Sequence, residues 1–178
     1  MQNNDRIGLL LFSDRIEKYI PLKKGKKHVL RVIREVLCFE PYHRKTRIAL
    51  GIEMLNKILY QKSVIFVISD FLDDNFELPL KILARRHDVI AVNIFDPTER
   101  ELPAAGYVRL EDLETGKTVL VNSKDKTVRK LYAGSADANR SRYDTFFKSK
   151  GIDKIDIDIT EPYALPIQRF FELREKRH

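Results

Sequence analysis

The 178 residues are 43% hydrophobic and 33% charged, a balance that suits a globular domain with room for a full core and excludes an intrinsically disordered chain. No apolar run approaches the roughly 18–20 residues that a membrane-spanning helix needs. The opening Met-Gln-Asn-Asn-Asp also lacks the basic and apolar regions of a secretory leader, so a cytoplasmic protein with no membrane insertion is expected. The formal charge of +7 is spread over three places: Lys23, Lys24, Lys26, Lys27, Arg31 and Arg34; His43, Arg44 and Lys45; and Arg174, Lys176, Arg177 and His178. Carboxylates near strand ends (Asp70, Asp73, Asp74, Asp96, Glu99 and Glu101) would repel phosphate, and no nucleic-acid reading motif accompanies the charge. A solvated basic face, or a docking surface for an acidic protein, is the plainer account, with no nucleic-acid partner.

In chain order, Arg6 to Phe12 reads as a buried strand. Ser13, Asp14 and Arg15 turn it into a short strand from Ile16 to Ile20, ended by Pro21. Val29, Val32, Ile33, Val36 and Leu37 recur at helical spacing up to Pro41, with Cys38 expected as a buried structural thiol. Thr46 is placed to open a second helix carrying Ile48, Ile52, Leu55 and Leu59, its hydroxyl serving as an N-cap. The run Ser63 to Ser69 is short and rich in β-branched residues, the habit of a strand buried on both faces of a parallel sheet. A helix from about Phe76 to Arg86 and a strand from Val89 to Phe95 follow, two strand-to-helix units that argue for right-handed parallel crossovers.

Beyond Pro97 the character changes. Tyr107 to Asp112 and Lys117 to Val121 flank Glu114-Thr115-Gly116 as a hairpin. A polar helical region runs from about Lys124 to Lys150, with Gly134 as the place for a break. Ile155, Ile157 and Ile159 alternate with charges in a last strand that is half exposed or at an edge, and a final helix carries Ile167, Phe170, Phe171 and Leu173. No repeat or linker divides the chain, so residues 1–178 are read as one domain.

The chain has no Gly-x-Ser-x-Gly elbow, phosphate loop or dinucleotide fingerprint. His28, His43, His87 and His178 lack the spacing of a zinc pair. His87 reads as a helix C-terminal residue favoured by the dipole. What remains is rich in oxygen: Asp70 and Ser69 at the carboxyl end of a strand, where open α/β sheets bind ligands, and Thr46 on another loop. These are hard donors suited to Mg²⁺ or Mn²⁺, and equally the residue types that cap helices.

Several words in the sequence together resemble one family. They are Gly-Leu-Leu-Leu-Phe-Ser-Asp at 8–14, Lys-Gly-Lys-Lys-His-Val-Leu-Arg at 24–31, Ile-Ser-Asp-Phe-Leu at 68–72, Arg-Arg-His-Asp-Val-Ile at 85–90, Asp-Pro-Thr-Glu-Arg-Glu-Leu-Pro at 96–103, and the Asp-Leu-Glu-Thr-Gly hairpin at 112–116. The family is domain of unknown function fifty-eight, the von Willebrand factor A-like proteins that accompany MoxR-type AAA+ ATPases. The resemblance implies a three-layer, Rossmann-like α/β fold around a mostly parallel sheet, with a metal-ion-dependent adhesion site on its crest. Thr46 is similar to the second element of that site and Asp70, beside Ser69, to the third. The first element, an Asp-x-Ser-x-Ser loop after the first strand, has no counterpart, so the domain is expected to be incomplete at its N-terminus.

Three consequences are expected. Mg²⁺ or Mn²⁺ binding by Thr46, Ser69 and Asp70 should be weak, because too few ligands replace the hydration shell. The uncovered strand edges should favour a homo-oligomer, a swapped assembly or poor solubility. The function should be that of a non-enzymatic interaction module working with a MoxR-type ATPase or its client, with Lys24, Lys26, Lys27 and Arg31 as a candidate docking segment. The alternative is a metal-dependent phosphohydrolase or nuclease using Asp70, Asp73, Asp74 and Asp96, since two-metal chemistry needs convergent carboxylates.

Overall fold

The computed structural model describes residues 5–42, 45–99, 101–112 and 116–177, leaving aside the side chains of residues 99 and 135–137. His43, Arg44, the Glu114-Thr115 turn and His178 lie outside the described residues. The chain opens with an antiparallel hairpin, β1 (Ile7–Phe12) and β2 (Ile16–Lys23). Strand β2 continues through Pro21 instead of stopping there. Among the described residues it pairs only with β1, so the amide that proline lacks can face away from the ladder. Helices α1 (Lys26–Leu37) and α2 (Ile48–Ile58) follow, then β3 (Val64–Ser69), α3 (Glu77–Arg86) and β4 (Asp88–Phe95). After a 3-10 turn at Pro97–Glu99 come the hairpin of β5 (Tyr107–Glu111) and β6 (Thr118–Asn122), then α4 (Lys126–Lys150), β7 (Asp153–Asp158) and α5 (Ala164–Glu175).

Strands β3, β4 and β7 form a parallel sheet in that order, with Val64 beside Asp88 and Ile90 beside Asp153. Alternation along the strands assigns their faces. Ile65, Val67, Val89 and Ala91 join Ile48 and Ile52 of α2, Leu80 and Leu83 of α3 and Phe147 of α4 in the main core. On the opposite face Ile90, Val92 and Ile155 pack under Ile167 and Phe170 of α5. The first hairpin is held between two helices. Phe12 lies against Gly51 of α2, while Lys18, opposite Leu11, pairs with Glu35 of α1.

Four further sequence readings change. Strand β3 is buried on one face only: Val64, Phe66 and Ile68 are 58%, 46% and 59% exposed, because α5 reaches β4 and β7 but not β3. On α1 only Val32 is buried, leaving Leu30, Ile33, Val36 and Leu37 exposed, and Cys38 is an exposed thiol. Helix α4 runs unbroken past Gly134, where open space surrounds the missing side chain. Helix α2 begins at Ile48 and is not capped by its own N-terminal side chain.

His87, the residue after α3, is 5% exposed, and neither ring nitrogen has a partner among the described residues. Burial, with a smaller contribution from Arg86, depresses its pKa below the usual histidine value. Below about pH 6.5 the unfolded chain therefore binds more protons than the folded one, so stability is present above that pH and is lost as pH falls. Denaturant unfolding across pH 5–8 should show this slope, and His87→Leu should flatten it. Gly51→Ala should destabilise by about 1–3 kcal/mol, since the added methyl would sit 2.7 Å from the Phe12 ring. Gly134→Ala, with no neighbour within 4 Å, should instead stabilise by about 0.5–1 kcal/mol in the same measurement.

Candidate functional site

Because β3, β4 and β7 run parallel, their carboxyl ends share one end of the sheet, the crest. Asp70, Asp73 and Asp74 leave β3 there, Asp96 leaves β4, and Asp158 ends β7. The turn after β3 is built on aromatic burial. Phe71 takes a left-handed backbone (φ 56°) yet is fully buried, with its ring 5.5 Å from Phe76 and 5.3 Å from Phe147. That conformation is costly for a bulky side chain and is sustained by the packing around it. Asp70, just before Phe71, stays exposed, and its Oδ1 accepts from the Leu72 amide at 3.1 Å. Ser69 Oγ accepts from the Phe71 amide at 3.1 Å.

Asp73 does what local sequence had suggested for Thr46. Its Oδ2 accepts from the amide of Ile48, the first residue of α2, at 2.6 Å. The negative charge also complements that helix end. The Asp73 carbonyl accepts from the Tyr143 hydroxyl at 3.3 Å. Ser13, at the end of β1, accepts from the Arg47 amide through its carbonyl at 3.0 Å. The loop bearing Thr46 is thus drawn toward both strand ends, and Thr46 and Asp70 sit on loops joined through Asp73. Nothing in the local sequence marks Asp73 as a cap, since the amide it serves lies 25 residues away.

The crest carboxylates are engaged separately. Asp74 pairs with Arg142 at 3.5 Å. Asp96 accepts from the Thr98 amide at 2.8 Å, and hydrogen bonds from Thr98, side chain first, hold its pKa below the ordinary range. Among the described residues no three His, Cys, Asp or Glu side chains converge to hold a metal ion. Ser69, Asp70 and Thr46 offer four side-chain oxygens from two loops, with Asp70 Oδ1 already accepting a backbone amide. These residues do not by themselves fit a resident Mg²⁺ or Mn²⁺, which demands a nearly complete octahedral shell.

The opposite end of the sheet, the foot, is basic. Lys23 pairs with Ile7 at the start of β1, which places Lys24, Lys26 and Lys27 there at the exposed beginning of α1, with Arg31 one turn further on. Arg85 and Arg86 end α3 just before β4, and Lys148 and Lys150 end α4 just before β7. A surface hollow here is lined by Lys81, Arg85, Ser149 and Lys150. Arg174 reaches the same end, bonding to Asp88 and lying 3.5 Å from Asp153.

Residues 1–142 match the family described as protein of unknown function DUF58. The chain belongs to that family. An uncharacterized protein of Mycobacterium tuberculosis is 27% identical over 97% of this chain and 55% of its own length. An uncharacterized protein of Mycobacterium avium is 28% identical over 88% of this chain and 94% of its own. This DUF58 chain thus spans about half the length of the first of these relatives. Two solved structures share the fold: the conserved hypothetical protein BatB from Bacteroides thetaiotaomicron (TM-score 0.54, 15% identity, 97% of this chain and 80% of that one) and an aerotolerance-related membrane protein from Bacteroides fragilis (TM-score 0.55, 14% identity, 94% and 78%). Among the described residues of the present chain no helix is long and apolar enough to cross a membrane.

Asp73→Ala should cost about 1 kcal/mol of stability by leaving the α2 amide uncapped, whereas Asp73→Asn should retain most of it. Chemical denaturation of both variants checks this. Calorimetric titration should find Mn²⁺ binding no tighter than roughly millimolar, as for weakly chelated oxygen sites, and little changed by Asp70→Ala.

Proposed function

We propose that this DUF58 chain is a non-enzymatic protein-interaction module of von Willebrand factor A-like organisation. It docks an acidic surface of its partner on the basic foot of the sheet. The observation that supports this is the gathering of cations from four elements (the start of α1 and the ends of α3, α4 and α5) at one end of the molecule. Asp70, Asp73, Asp74, Asp96 and Asp158 lie at the other end, while Asp88 and Asp153, at the foot, are paired with Arg174 and Arg177 of the α5 end. Lys24, Lys26 and Lys27 are exposed, and α1 has no acidic residue in its first turn to neutralise them. Such a field steers an oppositely charged partner and fixes its orientation.

The partner that the family resemblance favours is a MoxR-type AAA+ ATPase or its client, in chaperone-like maturation or complex assembly. Exposed Asp70 on the crest then remains for a second contact, next to Ser69 and on a loop tied through Asp73 to the start of the helix that follows Thr46. Binding of the purified cognate ATPase should fall about tenfold or more, equivalent to about 1.4 kcal/mol, in the combined Lys24→Glu, Lys26→Glu and Lys27→Glu variant. It should also weaken between 50 mM and 300 mM salt, as screening shortens the reach of the foot's field. Unchanged affinity in a correctly folded variant would remove the basic foot from the docking surface.

A further inference from the structure

Helices α3 and α4 both pack on the main core and touch each other, and between them lies a surface hollow of about 410 Å³ lined by Lys81, Ala84, Arg85, Ser149 and Lys150. That volume falls within the range of pockets that hold small ligands, roughly 300–1,000 Å³. Its lining carries three cations and no carboxylate. Other cations near this end are already engaged. Arg86 donates to the carbonyls of Asn56 and Leu59, Arg174 pairs with Asp88 and Asp153, Arg177 with Asp153, and Lys154 with Asp144 and Asp156. Lys81, Arg85 and Lys150 have no hydrogen-bond or ion-pair partner for their side chains among the described residues.

Helix stability alone does not account for this arrangement. Arg85 and Lys150 stand in last turns, where cations complement the helix dipole, but Lys81 lies in the middle of α3 and gains nothing there. Lys81 and Arg85 are four residues apart, so they share one face of α3, and like charges at that spacing repel. Glu77, the carboxylate one turn before Lys81, is taken by Arg142. The hollow therefore keeps an uncompensated repulsion that an anion seated among the three cations would relieve. The Ser149 hydroxyl donates to the Phe146 carbonyl at 2.8 Å, so the cations supply the donors for such a ligand. The Arg85 guanidinium is a planar fork suited to two parallel bonds to a phosphoryl group, and Lys81 and Lys150 add compact charges.

We propose that the hollow between α3 and α4 is a binding site for a compact polyanion of the phosphate class, a diphosphate or triphosphate chain held by Lys81, Arg85 and Lys150. A single carboxylate carries one charge and would leave most of the repulsion in place, whereas linked phosphoryl groups present charged oxygens to all three cations. The crest carboxylates Asp70, Asp73, Asp74 and Asp96, which would repel such a ligand, lie at the opposite end of the sheet. The site does not rest on protein docking through Lys24, Lys26 and Lys27. Those residues belong to α1, across the first hairpin from α2, while α3 and α4 share the core that α2 covers.

Calorimetric titration of the full chain with pyrophosphate, with ATP in the presence of a chelator, and with succinate tests this at about 50 mM salt, where surface fields are weakly screened. Pyrophosphate should bind about tenfold or more tightly than succinate, and the combined Lys81→Gln and Arg85→Gln variant should lose about tenfold or more of that affinity. Lys24→Gln, Lys26→Gln and Lys27→Gln together should change it little. Equal affinities for ATP and pyrophosphate would assign the phosphate chain alone, and tighter ATP binding a nucleotide. Thermal unfolding supplies a second readout. Pyrophosphate should raise the midpoint, as a ligand of the folded state does. Lys81→Gln should abolish most of that rise without lowering the midpoint of the unliganded chain, which a merely structural lysine would do. The proposal is overturned if pyrophosphate does not bind, if it binds no more tightly than succinate, or if the α1 variant weakens it as much as the hollow variant, which would mean diffuse attraction to a basic chain.

Discussion

Residues 70–76 leave β3 and must do two incompatible things: keep the Asp70 carboxylate in solvent and drive the next side chain into the core. The chain resolves this by putting Phe71 in a left-handed conformation, with its ring buried against Phe76 and Phe147. Each such ring contributes on the order of 1.5–3 kcal/mol when buried, enough to hold a conformation that costs about 1–3 kcal/mol. Two residues later Asp73 is delivered to the amide of Ile48, and its carbonyl to Tyr143. One turn therefore ties β3, α2 and α4 together and fixes the crest.

The rest of the architecture hangs on α2. It receives the end of β1 through Arg47, the turn after β3 through Ile48, and Phe12 in the space left by Gly51. Two sheets that share no strand pairing among the described residues thereby acquire a common direction. Further along, Lys154 and Asp156 on β7, Asn93 on β4, and Asp144 and Arg140 on α4 make a polar network at the β7 edge. Burial by itself would raise the Asp156 pKa, and the hydrogen bonds from Asn93 and Lys154 more than offset it. One edge of the parallel sheet is closed by charge while the β3 edge stays apolar and open.

Charge has the same end-to-end organisation. Asp70, Asp73, Asp74, Asp96 and Asp158 follow the parallel strands to the crest, and the lysines and arginines of the foot, joined there by Asp88 and Asp153, lie on the turns and helix ends that precede those strands. A basic chain is thus a molecule with two differently charged ends.

The sequence by itself determined the elements that periodicity and turn chemistry encode: the first hairpin, the helix over residues 77–86, the parallel pair β3 and β4, and β7 at an edge. It also located Asp70 outside the carboxyl end of β3, because a β-branched run stopping at an acid is a local signal. It could not determine which apolar faces are covered. Val64, Phe66 and Ile68 read like Ile65 and Val67, and their exposure depends on how far α5 reaches across the sheet. Nor could it choose between Thr46 and Asp73 as the cap of α2, since a carboxylate brought from 25 residues away leaves no local pattern. Spacing places a residue on its own strand or helix. Only tertiary packing decides what lies across from it.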